Sequence, residues 1–215
     1  MKPPVLTVLA HPDDESFGPA GLIMHYASQG RPCHLLIATD GAHSRRYRHE
    51  PDIKARRAEL AEACDIIGYT STITLHFEDG TLCNNQYHAL ADSIGTELDR
   101  LRPETVVTFD PRGISGHIDH IVVTSVVDYL FAKKEYLKEI LYLTIPAELQ
   151  EDNYFVYMPP GITRDKVDHI EDITDVWERK RKAILCHKSQ TSDASEHLRK
   201  LEMFPKEEWY TIRRK

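Results

Sequence analysis

The sequence predicts an α/β fold, a mostly parallel sheet with helices on both faces. Short apolar runs alternate with longer amphipathic segments from residue 5 onward, Gly or Asp-Gly punctuates most boundaries, and no apolar run nears the length of a membrane span. Strands separated by helices pair through crossovers, and crossovers make parallel neighbours.

Taken in order, Val5–Ala10 is a short apolar run and reads as a buried strand. Gly18–Gly30 follows as a helix with Gly30 as its stop. Cys33–Thr39 is the second strand, ended by the turn pair Asp40-Gly41. Pro51–Gly68 carries Ile53, Leu60, Ala63, Cys64 and Ile67 near helical spacing. Thr72–Phe77 alternates Ile73, Leu75 and Phe77 with polar neighbours, a third strand that turns at Asp79-Gly80. Asn85–Arg102 is a helix stopped by Pro103, Thr105–Phe109 a fourth strand, His120–Phe131 an apolar helix and Glu139–Ile145 a fifth strand. Beyond Pro146 the pattern loosens, with an expected strand at Tyr154–Met158 and a helix at Asp175–His187. The sequence thus reads as one domain, 1–215, with a core of about 5–190 and a polar C-terminal extension of about 191–215. The extension's Trp209 and Tyr210 could pack on a second copy of the chain.

The bulk numbers narrow the function. At 215 residues, 41% hydrophobic and 28% charged, the chain has the make-up of a globular domain able to bury its own core. A net charge of -7 argues against a general nucleic-acid binder, whose surface must neutralise phosphates. Cys33, Cys64, Cys83 and Cys186 form no CxxC pair and lie far apart, so reduced thiols in a reducing compartment are expected. The opening MKPPVLTVLA is too short an apolar run for a signal-peptide core. A cytoplasmic protein with no membrane partner is the expectation.

In sheets of this kind ligands bind beyond the carboxyl ends of the strands, and the polar chemistry collects there. The first strand runs into His11-Pro12-Asp13-Asp14-Glu15, the third into Glu78-Asp79-Gly80, and the fourth into Asp110 and then Gly116-His117-Ile118-Asp119-His120. Imidazole and carboxylate suit a borderline divalent metal, and a catalytic zinc takes three such ligands. His11 and Asp14 leave one strand close enough to chelate one ion, and His120 is available from a neighbouring strand end. His117 and His120 share a helix face if a helix begins there, so either could bind metal while the other faces substrate. With 12 histidines an HxxH pair is weak evidence by itself, whereas the HPDDE string at a strand end is specific.

These two strings carry a family resemblance. Ala10 to Glu15 resembles the signature of the LmbE/PIG-L-like de-N-acetylases, and Gly116 to His120 resembles their GHPDH-type motif, with Ile118 in place of the usual proline. Weaker matches follow in the family's order: Arg56-Arg57-Ala58-Glu59 leading to Gly68, Glu78-Asp79-Gly80, and Lys180-x-x-Ala183 with His187-x-Ser189-Gln190. Thr39-Asp40-Gly41-Ala42-His43 lacks the acidic residue common in the family after the second strand. The resemblance, over residues of about 5 to 190, implies a Rossmann-like fold and zinc-dependent removal of an N-acetyl group from an N-acetylglucosamine-type sugar. It implies His11, Asp14 and His120 as zinc ligands, Asp13 as general base and His117 as electrostatic or acid partner.

On the chemistry, Asp119 or Asp110 could hold the His117 imidazolium, and Glu15 should open the following helix. The basic stretch His43–Arg57 could grip an anionic aglycone, with Arg56 the favoured substrate contact. A His₂Asp set also accepts iron or cobalt. A metal amidase acting on a non-sugar acylamide and a non-catalytic zinc site in a sugar-binding protein are the alternatives. Asp13 tells against the latter, because a structural site closes all four positions with protein ligands and has no use for a spare carboxylate.

Overall fold

A computed structural model of the chain describes residues 2–41, 53–149 and 159–215. Strands β1 (Val5–Leu9), β2 (Cys33–Thr39), β3 (Ser71–Phe77), β4 (Thr105–Phe109) and β5 (Glu139–Thr144) form a parallel sheet in the order β3-β2-β1-β4-β5. Between them lie α1 (Asp14–Phe17), α2 (Ala20–Ser28), α3 (Ile53–Ile67), α4 (Tyr87–Leu101) and α5 (Ile118–Lys133). The chain then adds β6 (His169–Asp172), α6 (Trp177–Cys186), α7 (Thr191–Glu202) and β7 (Glu207–Arg214).

Alternating strand residues feed two buried clusters, as the pleat requires. Leu6, Val106 and Ile140 meet Leu90 and Ile94 of α4 and Val123 and Val127 of α5. Val5, Val107 and Leu141 meet Leu22 and Ile23 of α2 and Ala183 of α6 on the opposite face. Helix α3 serves both clusters, Leu60 and Cys64 in the first, Ala63 and Ile67 in the second. The α/β class, the five parallel strands and the helices joining them agree with the sequence reading.

The difference lies in the last segment. The residues read as a polar extension include β7, which pairs antiparallel with β5 on one side and β6 on the other. Trp209 and Tyr210 are therefore buried within the chain's own sheet and unavailable to a second copy. Glu208 of β7, also buried, accepts the amides of Gly21 (2.7 Å) and Leu22 (2.9 Å), so a strand carboxylate caps α2. Lys180 of α6 donates to the same carboxylate at 2.6 Å and to the Gly18 carbonyl at 2.6 Å, and the Tyr210 hydroxyl donates at 2.8 Å. The strand expected at Tyr154–Met158 lies outside the described residues, as do Pro51, Asp52 and the loop after Gly41. Among the described residues no helix is long and apolar enough to cross a membrane.

The winding reverses between β1 and β4: from β1 the chain crosses outward to β2 and β3, returns through α4 to β4 beside β1, and continues to β5 on the other side. The crevice beyond β1 and β4 is the place where such sheets bind ligands.

Candidate metal centre

Beyond β1 the chain turns through His11 to Asp14, and the turn is closed by the His11 amide, which donates to Asp14 Oδ2 at 2.7 Å. Beyond β4 the loop 110–117 runs into α5, for which His117 is the N-cap. Its ring Nδ1 accepts the Asp119 amide at 3.1 Å, so α5 begins two residues ahead of the expected start. Gly113 at φ 83° lets this loop close, since a Cβ there would lie 2.7 Å from Ile121 and 3.3 Å from the His120 Cβ.

Three donor atoms converge in the crevice. His11 Nδ1 lies 3.2 Å from His120 Nε2 and 3.6 Å from Asp14 Oδ2, while His120 Nε2 lies 3.4 Å from Asp14 Oδ1. Bonds of about 2.0–2.1 Å in a tetrahedral site set ligand atoms roughly 3.3 Å apart, so the triad has the spacing of one face of a metal tetrahedron. The remaining ring nitrogens fix the tautomers. His120 Nδ1 faces the Gly113 carbonyl at 3.1 Å, and His11 Nε2 faces Asp79 at 3.0 Å and Asp119 at 3.2 Å. Both outer nitrogens therefore carry a hydrogen, and a metal at the centre would take the inner lone pair of each ring, for which His11 must give up its second proton. Three Lewis bases aimed at one point call for a cation, and the donor set fits a divalent metal.

The pKa shifts describe the protonated alternative, in which His11 itself carries the positive charge as an imidazolium. Burial, with His11 adding to it, pushes His120 down to about 3, and burial with His11 and His120 does the same to His117, so both imidazoles are neutral. His11 is held up to about 10: burial works against the charge, but Asp119, Asp79 and Asp14 outweigh it. Burial raises Asp14 to about 6 against the opposing pull of His11. Asp13 rises to about 7, again by burial, with Arg56 opposing and Asp14 adding.

The structure brings His11, Asp13, Asp14, His117, Asp119 and His120 to one edge, but it redistributes some partners. Asp119, 1% exposed, accepts the amides of Gly80 (2.8 Å) and Leu82 (3.1 Å) and braces His11. Asp110 accepts the Arg112 amide and guanidinium. The two carboxylates expected to hold His117 thus organise their own loops and the ligand histidine.

Arg56 departs from the expected grip on substrate. It is 3% exposed and turned inward, donating to the carbonyls of Gly41 and Pro12 (2.6 Å) and to Asp13 Oδ2 at 3.1 Å. Gly41 at φ 65° permits this approach, because a Cβ would sit 2.7 Å from the guanidinium. Arg45, Arg46 and Arg48 lie outside the described residues. Arg57 is half-exposed at the ends of β2 and β3, 3.2 Å from Asp40 and 3.1 Å from His76.

Sequence reasoning placed Glu78-Asp79-Gly80 among the polar strand ends but gave Asp79 no role beyond a turn, whereas the structure sets it 3.0 Å from His11. Its place directly after β3 was the usable signal. Glu15 does stand in the first turn of a helix, as expected, but α1 is only four residues long and the side chain is fully buried, 2.7 Å from His187.

Residues 6–131 match the family model described as PIG-L: GlcNAc-PI de-N-acetylase. A probable N-acetyl-alpha-D-glucosaminyl L-malate deacetylase 2 of Bacillus subtilis (strain 168) is 32% identical over 198 residues, covering 89% of this chain and 85% of that protein. A 1D-myo-inositol 2-acetamido-2-deoxy-alpha-D-glucopyranoside deacetylase of Mycobacterium sp. (strain KMS) is 26% identical over 235 residues, covering 91% and 76%. Among solved structures, N,N'-diacetylchitobiose deacetylase from Pyrococcus horikoshii superposes with a TM-score of 0.76 at 22% identity, covering 98% of this chain and 83% of its own, which is a likeness of fold.

Proposed function

Because the chain belongs to the PIG-L family of GlcNAc-PI de-N-acetylases, we propose that it is a metal-dependent hydrolase removing the acetyl group from an N-acetylglucosamine-type conjugate. The observation that carries this reading is the converging triad of His11, Asp14 and His120, three protein ligands with a spare carboxylate beside them. We assign zinc, since three ligands of this kind and an open fourth position are the pattern of its catalytic sites. Zinc held there supplies Lewis acidity, polarising the amide carbonyl and acidifying the attacking water.

The chain's own residues do the rest. Asp13 takes the proton of the attacking water and returns it to the nitrogen as the C–N bond breaks, leaving acetate and a free amine. Its elevated pKa, near 7, supports a base working at neutral pH. His117 acts as a neutral donor. Its Nδ1 accepts the Asp119 amide, so the hydrogen that stabilises the developing oxyanion sits on Nε2. Asp119 acts through His11, accepting from its outer Nε2 and so aiming the inner nitrogen at the metal position.

We further propose an anionic aglycone met by Arg57, whose side chain is 53% exposed at the crevice edge of the sheet. Four unpaired cysteines, three of them buried, support a cytoplasmic setting. The test is acetate release from N-acetylglucosamine conjugates with neutral and anionic aglycones. We expect activity that a chelator abolishes and zinc restores, highest on the anionic members. No acetate from any member at full metal load would sink the proposal.

A further inference from the structure

Asp13 has φ 120° and ψ −31°, a backbone conformation that side-chain-bearing residues rarely adopt and that persists only where the surroundings over-determine it. Two sets of contacts impose it here. On the carboxylate side, Arg56 of α3 holds both the Asp13 side chain and the Pro12 carbonyl. On the amide side, the Asp13 N–H donates to Glu15 Oε2 at 2.9 Å. Glu15 is fully buried, and its other oxygen accepts Ser16 Oγ at 2.6 Å and lies 2.7 Å from His187 Nε2.

His187 caps the C-terminus of α6 and is 1% exposed; among the described residues its buried Nδ1 has no hydrogen-bond partner. Its ring hydrogen bonds among the described residues therefore go to Glu15 and Ser16. Two residues on, Ser189 donates its amide (2.9 Å) and hydroxyl (2.6 Å) to Glu59, one turn along α3 from Arg56. One helix thus reaches Asp13 twice, directly through Arg56 and by way of Glu59, Ser189, His187 and Glu15.

We infer that Glu15 and His187 are positioning residues that hold Asp13 in its strained backbone conformation, with its carboxylate aimed at the reacting centre. Neither touches substrate, and both act through Asp13. The kinetic part of the inference rests on the deacetylase reading above; the conformational part stands on the geometry alone.

The test uses the metal-loaded protein with His187→Leu and His187→Gln, the second keeping an N–H donor. Displacement of a reacting group by an ångström costs up to about 100-fold. We expect His187→Leu to lower kcat about 10- to 100-fold with KM held within about threefold and metal content unchanged, and His187→Gln to recover most of the loss. In its crystal structure the Leu variant should release Asp13 from φ near 120°, while the Gln variant retains it. If the Leu variant does not fold, Glu15→Gln takes its place, with a kcat loss of about 3- to 30-fold and the same constant KM. Parent-like kcat with Asp13 unmoved, a rise in KM alone, or loss of metal would each overturn the inference. Should the parent release no acetate from any conjugate, the deacetylase reading fails, and the Asp13 backbone in the variant structures still decides the positioning.

Discussion

In the proposed mechanism Asp13 and Asp14 are neighbours with different duties, base and ligand, and substituting each tests the division. Asn tolerates a positive φ, so Asp13→Asn keeps the turn and the ligands while losing the base. Metal should remain at about one ion per chain while turnover falls roughly 10²- to 10⁴-fold. Asp14→Asn replaces a ligand carboxylate by a neutral amide, so elemental analysis should show metal lost together with activity. Parent-like turnover in a metal-loaded Asp13→Asn protein would refute the base assignment. Arg56→Ala should act on kcat more than on KM, because the guanidinium meets Asp13 and two carbonyls. A KM effect alone would return Arg56 to the substrate. At this scale the convergence of the candidate ligands was legible because HPDDE and GHIDH are short, distinctive strings placed beyond the ends of β1 and β4. The direction of Arg56 was not, since a buried arginine and a surface arginine share one letter and only the approach of Gly41 and Pro12 separates them.

Helix α2 is tied to the late-coming elements by two charged contacts of different depth. Lys180 and Glu208 are both buried and 2.6 Å apart, so Lys180→Met strands a carboxylate in the core. Breaking such a pair costs about 3–5 kcal/mol, which for a chain of this size lowers Tm by roughly 6–20 °C. A change below about 2 °C in a thermal melt would mean that the Gly21, Leu22 and Tyr210 donors suffice for Glu208. The second contact lies nearer the surface, where His25 of α2 bonds Glu171 of β6 and, at 3.0 Å, Asp175. Burial works against its charge, but Glu171 and Asp175 outweigh it, and the pKa is raised. A raised pKa stabilises the folded state fully below the unfolded value of about 6.5 and progressively less as pH climbs through the folded value. The Tm difference between the parent and His25→Asn should accordingly be largest near pH 5.5 and fade on the alkaline side. A pH-independent difference would remove the ion pairs from the account. Helices and parallel strands were legible because each buries a face with its own period. Strand β6 was not, for its four residues His169–Asp172 are half-buried or exposed and are held by partners far along the chain.

Across the whole molecule, β7 completes the sheet. Without it β5 would bare its outer edge and β6 would lack a neighbour, an open invitation to aggregation. A chain shortened to end at Met203 should therefore be recovered in the insoluble fraction, and a monodisperse, metal-binding fragment would show β7 to be dispensable. The α/β class followed from the alternation of apolar runs and amphipathic segments, yet β7 hid among charged residues. Glu207, Glu208, Arg213 and Arg214 frame its Trp209-Tyr210-Thr211-Ile212 run, and Glu208 is buried only because α2 and Lys180 await it. The interior place of β7 also bears on how the protein is made. The five parallel strands all precede β7 in the chain and can begin to gather before it is made. Glu208 reaches α2 only after β7 has emerged, so for much of translation the nascent sheet presents an unpaired β5, a natural point of engagement for a holding chaperone. The strand that caps α2 is thus made well after the helix it caps.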